Sequence, residues 1–157
     1  MRSLLALLPV ATLGVTTLAQ ADVSATSSWV REAPPSADVL AAYMVLKNPD
    51  SSASVLQQVT SPDCKSVEIH QTSLQNGVAA MSAKDSLTIP AHGHIKLSPG
   101  GYHLMLMGAA HPFKVGDSVS LVLHFKDGKT LAVTAPVLKD APVHKAASAP
   151  AAEQKPN

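Results

Sequence analysis

From Val23 to about Lys139 the chain never sustains an apolar pattern long enough for a convincing helix. Segments rich in Val, Ile, Leu and Thr are instead cut by turn residues at intervals of roughly ten. That rhythm predicts an all-β domain, a sandwich or barrel. Val67 and Ile69, and Leu87 and Ile89, alternate with polar neighbours, and Ser118 to Phe125 alternates throughout. Lys126-Asp127-Gly128-Lys129 then predicts a hairpin turn, because Gly supplies the positive φ that tight turns need, and Thr130 to Val137 resumes the strand pattern. Further breaks fall at Asn48-Pro49-Asp50-Ser51, Ser61-Pro62-Asp63, Asn76-Gly77 and Ser98-Pro99-Gly100-Gly101. Ala37 to Leu46 tolerates a helical reading, but Tyr43, Val45 and the Asn48-Pro49 stop fit a strand as well.

Both ends differ from this middle. Arg2 gives a short positive start, and Leu4 to Leu18 is a mostly apolar stretch too short to span a bilayer comfortably. Ala19-Gln20-Ala21 fits the small-x-small cleavage rule, so residues 1–21 are expected to be a signal peptide and the mature, soluble chain to begin near Asp22. Residues 22–139 form one expected domain. From Asp140 to Asn157 the chain is mostly Ala, Pro, Lys and Ser, a composition that buries too little surface to offset its ordering entropy; a disordered tail is expected. Without Arg2 the Lys and Arg residues balance the 11 acidic ones, which leaves no electrostatic footprint for nucleic acid or an anionic membrane. The single cysteine, Cys64, excludes an internal disulfide.

Seven histidines and five methionines are many for this length, and their placement matters more than their number. His70 closes the strand-like run Val67-Glu68-Ile69-His70; Met81 follows after ten intervening residues, His103 after twenty-one more, and Met105 two beyond. Residues two apart in a strand share a face. His103 and Met105 therefore grip one object while Leu104 and Leu106 turn to the core. His70 and Met81 flank the turn at Asn76-Gly77 and are placed to supply the other half of a tetrahedral set.

Thioether sulfur is a soft, uncharged donor and imidazole an intermediate one; together they suit Cu(I), whereas zinc usually recruits thiolate, imidazole or carboxylate. Thioethers also cannot close a disulfide in an oxidising compartment. Four neutral ligands leave the ion's charge uncompensated, which disfavours a dication more than a monocation. Against this stands the plain reading of methionines as core filler and histidines as surface groups.

The segment from Val67 to Gly108 resembles the periplasmic copper chaperones called PCuAC. His70, Met81, His103 and Met105 meet that family's H-x10-M-x21-H-x-M pattern without a shift. The blocks Val67-Glu68-Ile69-His70, Ile89-Pro90-Ala91 and Leu97-Ser98-Pro99-Gly100-Gly101-Tyr102-His103-Leu104-Met105-Leu106 match too, as do Trp29-Val30-Arg31-Glu32-Ala33-Pro34 and the Tyr43 to Asn48 stretch. The resemblance implies a cupredoxin-like Greek-key β-sandwich or barrel, with Cu(I) near the surface at one end. It also implies periplasmic delivery of copper by ligand exchange for the cytochrome c oxidase copper centre, to an oxidase-assembly protein or the oxidase subunit itself.

Several residues depart from that pattern. His92 and His94 stand where the family more often has Gly or small polar residues, His111, His124 and His144 are additional, and Cys64 is outside the motif. Surface decoration is the plain reading of the histidines, with a second Cu(II) site at His92, His94 or the tail as the rival. Met107 shares the strand face of Met105 and reads as packing at the site's edge or a substitute ligand. Among other functions, a blue-copper electron carrier needs a thiolate beside its histidines, and Cys64 lies upstream of all four candidates. A copper buffer or resistance protein would use the same ligands. A non-binding adhesion-like sandwich would lack Cu(I) affinity. No nucleophile–base pair, carboxylate dyad or phosphate loop supports an enzyme; Asp63, Asp85, Asp117 and Asp127 sit in apparent turns.

Overall fold

A computed structural model describes residues 22–142 except Pro35 and Asn76. The expected signal peptide, His144 and most of the expected tail lie outside the described residues. Those described form ten strands and no helix. In chain order they are β1 (Ser24–Arg31), β2 (Val39–Asn48), β3 (Ser54–Thr60), β4 (Cys64–Gln75), β5 (Val78–Lys84), β6 (Leu87–Ile89), β7 (Gly93–Leu97), β8 (Tyr102–Ala109), β9 (Ser118–Phe125) and β10 (Thr130–Leu138). The stretch that tolerated a helical reading is β2. None of the described residues forms a helix long and apolar enough to cross a membrane.

The strands make one sheet that closes on itself. Pairing runs β4-β8-β2-β1-β10-β9-β3, and β3 returns to β4 at Val59 opposite Val67. The pairs are antiparallel except β1 with β10 and β7 with β8. β2 forks: Val39 to Ala42 pair with β8, and Met44 to Asn48 pair with β7. β5 hangs on the outer edge of β4, and β6 on β3. Closure follows from the alternation, since each strand of the ring has an apolar face and the ring turns these faces inward. Leu46, Leu56, Ile89, Leu104, Leu106 and Leu123 have no exposed surface at all.

Two local features shape the outer wall. Ser27, at φ 55°, interrupts the β1–β2 register between Thr26 and Trp29. The irregularity resets which face the rest of β1 presents, and Trp29 lands beside Tyr43, their ring centres 4.7 Å apart. Both rings are buried, yet they stand apart from the main core cluster. On the opposite flank, buried Asn48 donates to the carbonyls of Ser52, Ile89 and Pro90 and accepts from the Asp50 amide, fastening β2 to the β6–β7 turn.

The Lys126–Lys129 turn forms as expected, but as a three-residue loop. The Gly128 amide donates to the Phe125 carbonyl and Gly128 takes φ 83°. The strand expected to end at His70 continues to Gln75, so His70 lies mid-strand. Ser73 and Leu74 in this extension are exposed, which is why it has no hydrophobic signature.

Candidate metal centre

The site is a product of register. On β8, Leu104 and Leu106 face the core, so His103 and Met105 face outward. On β4, Val67 and Ile69 pack inward, which turns Glu68 and His70 outward. The antiparallel β4–β8 ladder then sets His70 directly opposite His103, and Glu68 opposite Met105. On the other side of β4, Met81 of β5 stands opposite Thr72, two residues along the same face from His70. Elements far apart in sequence thus deliver all four predicted residues to one patch of outer wall.

Within that patch, the His70 and His103 ring centres are 5.9 Å apart. Met81, His103 and Met105 line a cavity of about 280 Å³ whose other walls include Arg31, Tyr43 and the Pro99-Gly100 turn. His70 lies against His103 from the side. Met81 is 57 % exposed, whereas His103 is buried at 6 %, so the patch is open over the thioether and closed over the imidazole.

The two imidazoles are held by opposite nitrogens. Nδ1 of His103 donates to the Gly101 carbonyl at 3.0 Å, which leaves the lone pair on Nε2. Nε2 of His70 lies 2.9 Å from a Glu68 carboxylate oxygen and donates to it, which leaves the lone pair on Nδ1. These tautomers are assigned from the hydrogen-bonding partners. Nδ1 of His70 is buried and has no hydrogen-bond partner among the described residues. A buried acceptor left unmatched costs free energy, so its place beside a second imidazole calls for an occupant that accepts a lone pair. No three His, Cys, Asp or Glu side chains among the described residues are arranged to hold an ion. The donors gathered here are two imidazoles and two thioethers, the set expected for a soft cation.

Sequence reasoning missed the surroundings. Glu68 was visible as the residue two before His70, but its role depends on sharing a strand face with it. Arg31 and Tyr43 reach the site through the irregularity at Ser27 and the β2–β8 pairing. The Arg31 guanidinium lies 5.7 Å from the centre of the Trp29 ring and 6.0 Å from that of Tyr43, within cation–π range. Burial pushes the Tyr43 phenol up from its ordinary value, with Arg31 opposing, so the hydroxyl is neutral at physiological pH.

The remaining candidates have other partners. Cys64 opens β4, six residues or about 20 Å along the strand from His70. Its thiol is pushed up by burial and packs against the core. Nδ1 of His92 bonds the Pro49 carbonyl, His124 bonds the Thr60 hydroxyl, and His111 stacks on Phe113. His94 stands opposite Lys47, and Met107 lies opposite Ser66, outside the cavity lining.

A family model described as "Putative lipoprotein LpqE-like" matches residues 23–137. The chain belongs to the LpqE-like family. Curated relatives of this LpqE-like chain include "Putative lipoprotein Lxx21020" from Leifsonia xyli subsp. xyli, 38% identical over 120 residues that cover 75% of this chain and 71% of that protein. Among solved structures, apo-DR1885 from Deinococcus radiodurans is 34% identical, with a TM-score of 0.59 over 89% of this chain and 96% of that one. The Cu(I) form of DR1885 is 37% identical, with a TM-score of 0.60 over 80% and 82%. The copper-bound PCuAC domain from PmoF2, at 22% identity and a TM-score of 0.64 over 79% and 97%, shares the fold. The LpqE-like chain is thus an all-β domain with the cupredoxin-like fold it shares with that PCuAC domain.

Proposed function

We propose that this protein is an exported copper chaperone that binds one Cu(I) through His70, Met81, His103 and Met105. The observation that carries the reading is Nδ1 of His70, buried and unpartnered among the described residues, on a residue set across one register pair from His103. With each imidazole nitrogen about 2 Å from a shared ion, two such rings stand roughly 5–6 Å apart centre to centre. The observed 5.9 Å suits that arrangement. Met81 and Met105 add soft sulfur from the cavity side. The likeness to the Cu(I) form of DR1885, and relatives named as lipoproteins, support copper as the cargo and export as the route.

Release follows from the asymmetry of exposure. A partner's thiolate or imidazole reaches the ion from the open side and displaces a thioether, while buried His103 stays fixed, so the ion passes across without being free. The acceptor proposed is an oxidase-assembly protein or the copper-site subunit of cytochrome c oxidase. In this reading residues 1–21 are the signal peptide, 22–139 the copper-binding domain and 140–157 the tail.

The test is Cu(I) titration of the chain from Asp22 against a chromophoric chelator, with X-ray absorption and transfer to candidate acceptors. One tight equivalent and a mixed nitrogen and sulfur shell are expected. A shell of nitrogen and oxygen alone would overturn the site. Tight binding without transfer to any oxidase partner would make the protein a copper buffer instead.

A further inference from the structure

Resting on the copper reading above, we infer that Glu68 is the positioning residue of the site, dictating that His70 donates through Nδ1 while His103 donates through Nε2. The two ligands would otherwise be chemically equivalent, since each is an outward-facing imidazole on the same pair of strands. What separates them is the nitrogen each commits to the protein. For His103 that is Nδ1, held by the Gly101 carbonyl; for His70 it is Nε2, held by Glu68.

Strand geometry makes the Glu68 contact a fixed one. Glu68 and His70 are two apart on one face of β4, and both lie within the ladder to β8. Among the described residues His70 is the one ion-pair or hydrogen-bond partner of the Glu68 side chain, whose carboxylate is half-exposed. The strand itself is secured by its backbone pairs on both sides, so the carboxylate is not needed to hold β4 in place. It can orient the ring, block Nε2 as a donor and press the Nδ1 lone pair inward. A carboxylate accepting from the far nitrogen also makes the imidazole a stronger donor. It brings negative charge next to four neutral ligands without adding a hard oxygen to the metal's own shell.

Cu(I) is diamagnetic, so long-range proton–nitrogen NMR reads both states. In the metal-free protein, His70 should carry its proton on Nε2. The Hε2 signal should persist in Glu68→Gln, whose amide oxygen still accepts, and vanish into water exchange in Glu68→Ala. On adding Cu(I), the parent should show coordination shifts at Nδ1 of His70 and Nε2 of His103. Affinity should fall tenfold to a hundredfold in Glu68→Ala and recover largely in Glu68→Gln. A coordination shift at Nε2 of His70 would overturn the inference while leaving the copper site intact. So would undiminished affinity and a retained Hε2 signal in Glu68→Ala. Should Glu68→Ala not fold, the nitrogen assignment in the parent decides alone. Absence of a shift at either histidine in the parent would instead overturn the copper reading itself.

Discussion

The β4–β5 and β9–β10 hairpins are built alike and employed differently. Each is an antiparallel pair with a positive-φ glycine at its turn, Gly77 at 80° and Gly128 at 83°. In β9, Val119, Leu121, Leu123 and Phe125 are buried, and β10 adds Val133, Ala135 and Val137. In β5 nothing is buried: Val78 is 68 % exposed and Met81 57 %, and Leu74 across the hairpin is 77 % exposed. Hydrophobic burial therefore explains why β9 and β10 are where they are, but not why β5 is. An edge strand held by a single neighbour contributes little to the core; what β5 contributes is a thioether next to His70 and His103.

The largest effect should come from the buried hairpin. Leu123→Ala removes a side chain with no exposed surface and should cost about 3 kcal/mol of stability, measured by urea unfolding. Cu(I) affinity of the folded fraction should stay within about twofold, the site being on the other side of the wall. A comparable loss of copper affinity in that variant would break the separation between the two regions. His103→Ala should weaken Cu(I) binding about a hundredfold, close to 2.8 kcal/mol by chelator competition.

Met81→Ala is the sharper test of the exposed hairpin. Cu(I) affinity should drop about tenfold, or 1.4 kcal/mol, while the urea midpoint barely moves. A loss of more than about 1 kcal/mol in stability would mean that β5 supports the fold after all. The smallest effect belongs to the β9–β10 turn, where Lys129 pairs with Asp22. The hydrogen bond from Lys129 holds the Asp22 carboxyl below its ordinary range, and Lys129 is raised in turn. The Asp22 contribution is present above the carboxylate range and disappears as pH falls through its lowered value. Asp22→Asn should therefore melt slightly below the parent at pH 7 and coincide with it in strong acid. A gap that persists in acid would mean that Asp22 acts other than through its charge.

The same contrast explains how much was legible in the sequence. β9 and β10 could be read from local alternation and the Asp127-Gly128 turn because burial itself writes that pattern. The His103-x-Met105 pair was legible for the same reason, being fixed by the period of one strand. The end of β4 was not, since Ser73 and Leu74 stay exposed in the strand. Nor were Tyr43, Arg31 and the Gly101 carbonyl, which reach the site through the irregularity at Ser27, the fork of β2 and a turn hydrogen bond. None of these leaves a period in the sequence; each depends on which strand lies next to which.

The placement of Trp29 has a practical consequence. It is the only tryptophan, and it begins a row of rings running through Tyr43 and His103 to His70, with neighbouring centres 4.7, 6.5 and 5.9 Å apart. An indole is sensitive to its electrostatic surroundings, and this one is buried at the far end of a stack whose other end is the imidazole pair. The wall that shapes the site thus carries an intrinsic fluorophore, and under the proposed copper reading its emission is expected to change on Cu(I) addition, which a fluorescence titration checks without a label.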